Sequence, residues 1–95
     1  MDLKLIGPHL EITPALQEYA NTKFQRIARH TESAISITVT LSTDKTVHQA
    51  YADLHVAGKS IHGEASHKDM YAAIDLLVDK LIRLFIKNKE KSCTL

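Results

Sequence analysis

Ninety-five residues with a formal net charge of +1 and 44% hydrophobic side chains fit one domain, residues 1–95, because two domains would each bury too little core. No apolar run approaches the roughly 18–20 residues of a membrane span, which excludes an integral helical membrane protein. Cys93 is the only cysteine, so neither an internal disulfide framework nor a cysteine-based zinc site can form.

The opening stretch "DLKLIG" places Leu3 and Leu5 at period two, with Ile6 extending the run, and predicts a short strand. It lacks the basic region followed by a long apolar segment of a signal peptide, so a reducing cytoplasm is the expected compartment. Thr13 followed by Pro14 is a helix start, since Thr caps well and Pro suits the first helical position. Leu16, Tyr19, Ala20, Phe24 and Ile27 then recur at helical spacing. "AISITVTLS" alternates, with Ile35, Ile37, Val39 and Leu41 on one face and Ser36, Thr38, Thr40 and Ser42 on the other. That is a strand buried on one side. "TDKT" predicts a turn, and "VHQAYADLHVA" a second alternating strand with Ala50, Ala52, Leu54 and Val56 inward. Gly58-Lys59 fits a two-residue type II′ turn leading into the returning strand "SIHGEAS". Asp69 can cap a final helix running from Met70 to Lys89 or beyond. Its core stripe is Met70, Ile74, Leu77, Leu81, Leu84 and Phe85, and a polar tail is expected over about residues 90–95. Cys93, near the end of that tail, is expected to be a spectator. The order β-α-β-β-β-α predicts a two-layer α+β domain, with two helices over one face of a four-stranded sheet. The other sheet face would carry Ser36, Thr38, Thr40, Tyr51, Asp53, His55 and His62 to solvent.

Charge is polarised along the chain. Residues 23–30 hold Lys23, Arg26 and Arg29 with no acid, and residues 80–91 hold five cations against Glu90. The remainder holds four cations and ten acids. On a helical wheel Lys23, Arg26 and His30 share one edge of the first helix, and Lys80, Arg83, Lys87 and Lys91 one edge of the last. Arg29 and Lys89 sit off these stripes. If the helices lie side by side, the two edges can flank one groove that attracts polyanions. Solvated helix faces, and cations favouring a helix's final turns, account for the same pattern without function. An anionic membrane surface fits less well, because the last helix's apolar stripe is needed for the core. Duplex DNA fits less well too, because no helix clusters side chains that reach base edges. Structured RNA, read by shape and phosphate, fits better.

The Gly58-Lys59 turn would pair His55 with His62 and Asp53 with Glu64, a set that resembles metal ligands but also occurs as ordinary surface electrostatics. A metal-binding module on this hairpin is therefore one reading. An acid–base enzyme using His55 and Glu64 is another. No GxSxG, HExxH or P-loop motif is present, so a non-enzymatic role without a cofactor is expected.

"HLEITPALQEYANTKFQRI" (9–27), "YADLHVAGKSIHGEASHKDMYAAIDLLVDKL" (51–81) and the basic end of the last helix resemble the bacterial ribosome hibernation factors. That family includes the hibernation promoting factors and protein Y, the ribosome-associated inhibitor. "DMYAAIDLLVDKL" is the most specific piece, and the resemblance spans nearly the whole chain. It is to the short members, so the longer tail of protein Y and the dimerisation domain of long forms are expected to be missing. The resemblance implies a fold similar to double-stranded-RNA-binding domains. It implies a seat on the small ribosomal subunit, in the mRNA and tRNA channel against 16S rRNA near the decoding A and P sites. Occupancy there would block mRNA, tRNA and initiation factors. With ribosome modulation factor, it would promote inactive ribosome dimers in stationary phase. The family's basic helix positions map onto Lys23, Arg26, Lys80, Arg83, Lys87 and Lys91 as rRNA contacts. Tyr71 matches the motif, with packing at the helix start as its plain role. The free protein is expected to be a monomer, with no DNA or membrane partner.

Overall fold

The computed structural model describes residues 2–8, 10–30, 35–56 and 58–93, with side chains described as far as Lys87. The elements run β1 (Asp2–Ile6), α1 (Pro14–Ala28), β2 (Ile35–Asp44), β3 (Val47–Val56), β4 (Lys59–His67) and α2 (Met70–Cys93). They form a four-stranded sheet in the order β1-β2-β3-β4. β1 pairs parallel with β2, and the other two pairings are antiparallel. A parallel pair needs a crossover, and α1 supplies it.

Both helices cover the face carrying Ile35, Ile37, Val39, Leu41, Ala50, Ala52, Leu54, Val56 and Ile61. The alternation read from the sequence thus selects the buried face. α1 contributes Leu16, Ala20, Phe24 and Ile27 to the core, and α2 contributes Met70, Ala73, Ile74, Leu77, Val78, Leu81 and Phe85. Leu84, expected in the core, is only partly buried at its margin, as is Tyr19. The Thr13 hydroxyl accepts from Leu16 N at 3.2 Å, as its capping position requires. Asp69 Oδ1 accepts from Tyr71 N at 3.1 Å and caps α2 in the same way. α2 runs through Cys93, past the point where a polar tail is expected.

The β2–β3 hairpin is tighter than the sequence suggests, and the β3–β4 turn keeps its expected two residues but lies one residue earlier. Asp44 pairs with Val47, so the β2–β3 turn is only Lys45-Thr46, with Lys45 at φ 57°. Val56 pairs with Lys59, and Gly58, at φ 77°, takes the second turn position rather than the first. That moves the β3–β4 register by two residues. His55 therefore faces Ser60, Asp53 faces His62, and Tyr51 faces Glu64. The expected His55–His62 and Asp53–Glu64 pairs do not form. A two-residue shift keeps every side chain on its face, which is why the pattern of burial does not reveal it.

Gly63 lies on the buried face beneath α2. A Cβ there would stand 2.8 Å from Leu81 Cδ2 and 3.5 Å from Leu77 Cδ1. The missing side chain lets α2 settle close to β4.

Candidate nucleic-acid interface

The helices run in the same direction, since Tyr19 meets Asp75 while Arg26, two turns on, meets Asp79. Lys23 Nζ lies 3.6 Å from Asp75 Oδ1, and Arg26 Nη1 lies 3.8 Å from Asp79 Oδ1. These side chains are between 32% and 51% exposed. Pairs so exposed contribute only about 0–1 kcal/mol, so a phosphate can take over either cation at little cost. Asp75 Oδ1 is itself covered and accepts no hydrogen bond, although the side chain as a whole is 43% exposed. Its compensation is ionic, from Lys23.

Tyr19 completes this seam. Its hydroxyl donates to Asp75 Oδ2 at 2.8 Å, and Lys23 Nζ stands 5.4 Å from its ring centre. Burial pushes the Tyr19 phenol up to about 12, helped by donation to the Asp75 carboxylate and by that carboxylate's negative charge.

Lys80 and Arg83 emerge on the opposite flank of α2. Lys80 Nζ donates to the Glu64 carbonyl oxygen at 2.8 Å. β4 is an edge strand, so this bond satisfies an outward carbonyl and helps protect the edge from pairing with another chain. Lys80 and Arg83, with Ala65, Ser66, Leu76 and Asp79, line an open depression of about 300 Å³. Lys87 is exposed further along the helix. Lys91 and Lys89 lie in helical backbone, but their side chains are outside the described residues.

The structure thus places Lys23, Arg26, Lys80, Arg83 and Lys87 on the helix layer, but not as two walls of one trough. Asp75 and Asp79 stand between the rows, and Asp79 borders both Arg26 and the Lys80–Arg83 depression. The cause is the flank of α2 that α1 covers. Asp75, Val78 and Ile82 lie on that flank, so α1 meets the acids while the basic stripe turns toward β4. Sequence reasoning missed Asp75 and Asp79. Their i, i+4 spacing opposite the i, i+3 spacing of Lys23 and Arg26 is the signal that carried them.

On the solvent face of the sheet, His62 Nδ1 lies 2.8 Å from Asp53 Oδ1, and His55 Nδ1 lies 2.9 Å from Ser60 Oγ. Among the described residues, no three His, Cys, Asp or Glu side chains are grouped to hold a metal ion. No described helix is long and apolar enough to cross a membrane.

A two-layer fold with cations along its helical face matches known proteins. A family model described as "Sigma 54 modulation protein / S30EA ribosomal protein" matches residues 3–92. The chain belongs to that family. Among S30EA relatives, the ribosome hibernation promoting factor of Azotobacter vinelandii is 43% identical over 91 residues, covering 96% of this chain and 85% of the relative. That of Escherichia coli K12 is 42% identical over 91 residues, covering 96% of each. The crystal structure of the Thermus thermophilus protein Y N-terminal domain superposes with a TM-score of 0.84 at 34% identity, covering 88% of this chain and 94% of that one. A ribosomal subunit interface protein from Coxiella burnetii gives 0.86 at 30% identity, covering 95% and 99%. The resemblance carried by "DMYAAIDLLVDKL" and its neighbours, and the two-layer fold, are both borne out.

Proposed function

We propose that this protein is a non-catalytic, cytoplasmic ribosome hibernation factor. It binds the 16S rRNA of the small ribosomal subunit at the decoding A/P-site channel. There it blocks mRNA, tRNA and initiation factors by occupying their space. Together with ribosome modulation factor it promotes ribosome dimers in stationary phase. The whole chain acts as one ribosome-binding domain, monomeric when free and needing no cofactor.

The observation that carries this reading is the extent of the match. Relatives bearing the hibernation factor name align over 96% of this chain at 42–43% identity. The geometry supports an electrostatic mechanism. Lys80, Arg83 and Lys87 are exposed on one flank of α2. Lys23 and Arg26 are held at the seam by weak ion pairs that phosphate can replace. We assign rRNA contacts to these five and to Lys91. Co-sedimentation with purified small subunits tests the reading, with messenger and initiator tRNA as competitors. Binding that either ligand displaces is expected. A protein that stays at the top of the gradient while binding free duplex RNA would instead be a structured-RNA-binding domain acting off the ribosome.

A further inference from the structure

We infer that Tyr71 is a stacking platform for one unpaired nucleobase, adding a contact to RNA that charge does not supply. The inference rests on the rRNA-binding reading above and deepens it. Tyr71 is one of three large apolar or aromatic side chains that stay exposed among the described residues, at 39%. Its place is fixed from both sides. Its own N–H is bound by the Asp69 cap, which sets the first turn of α2. Its ring meets the Tyr19 ring edge-to-face, with centroids 4.8 Å apart and planes at 89°. Tyr19 is in turn anchored by its hydroxyl on Asp75. An aromatic ring held this way has already lost the freedom that stacking would otherwise cost.

The charge around it selects the ligand. Lys23 Nζ stands 5.4 Å from the centre of Tyr19, the ring that Tyr71 touches. Arg26 follows on the same side of α1. An aromatic surface beside two cations suits a nucleotide, with the base on the ring and the phosphate on the cation. A protein partner's apolar side chain would gain nothing from those cations. A base locked in duplex RNA cannot reach the ring, so the platform favours loops, bulges and single strands. The nearby acids Asp75 and Asp69 already accept from Tyr19 and from backbone N–H.

The test is a substitution series read on small subunits and on single-stranded RNA. Tyr71→Phe should bind small subunits like the parent. Tyr71→Leu should lose about 5- to 150-fold in affinity, the cost of one base stack, with the salt dependence unchanged. An aromatic ring at position 71 also keeps the edge-to-face packing on Tyr19, so the readout that packing alone does not move is direct contact with RNA, reported by a tryptophan at that position. The chain contains no tryptophan, so Tyr71→Trp creates a single reporter at the platform. Its emission should be quenched by a mixed-sequence single-stranded RNA of about ten nucleotides at low salt, and less by a duplex of that sequence. Tyr71→Leu binding within twofold of the parent would overturn the platform, as would emission that saturating single-stranded RNA leaves unchanged. Failure of the ribosome reading looks different, because the parent itself would not co-sediment while the Tyr71→Trp quench by free RNA persisted.

Discussion

Replacing Gly63 with alanine should destabilise the protein by pressing β4 and α2 apart. The new Cβ would sit 2.8 Å from Leu81 Cδ2 and 3.4 Å from Leu81 Cγ. Carbon atoms in good contact are about 3.5–4.0 Å apart, so Leu81 must withdraw by close to 1 Å. It has nowhere to go, because Leu81, Leu77 and Ile74 are all 0% exposed. Overpacking of this kind costs about 1–3 kcal/mol. With a urea slope of about 1–1.5 kcal/mol per molar for a small domain, the unfolding midpoint should fall by roughly 0.7–3 M. Urea titration followed by far-ultraviolet circular dichroism measures it. A second variant isolates the cause: Leu81→Val in the Gly63→Ala background should cost less than the two single changes added together. A Gly63→Ala midpoint equal to the parent's would refute the close-packing account of this glycine.

Two further outcomes follow from the helix ends and the seam. Asp69→Ala removes the acceptor for Tyr71 N and should cost about 1 kcal/mol, lowering the thermal midpoint by roughly 4–8 °C, while Asp69→Asn should stay near the parent. Tyr19 is held up to about 12 from 10.0, so the fold favours its neutral form. Its contribution to stability is complete below pH 10 and is lost as pH rises from 10 to about 12. Tyr19→Phe should abolish that component, which alkaline unfolding together with tyrosinate absorbance will detect.

Much of the fold is legible because each element buries one face. Ile35 to Leu41 and Ala50 to Val56 alternate, so their inward sides follow from sequence alone. Thr13 and Asp69 mark the helix starts by the hydrogen bonds they accept. The hairpin register was not legible, because Gly58 can serve at either turn position. The two choices differ by two residues and bury the same side chains. The candidate interface was half legible. The basic stripes follow from helical spacing, but the acids between them depend on which flank of α2 receives α1. Val78 is buried in the core and Ile82 packs against it, and helical spacing puts both on the flank of Asp75, which meets α1. Gly63 carried no signal in the sequence, since its role exists only once Leu81 lies above it.

The salt dependence of small-subunit binding tests the electrostatic account most directly. With about six cations meeting phosphates, affinity should fall by roughly 10³ between 50 and 200 mM monovalent salt. Lys80→Ala, Arg83→Ala and Lys87→Ala should each flatten the logarithmic slope by about one. Affinity that stays level across this range, or slopes that these three changes leave untouched, would contradict it.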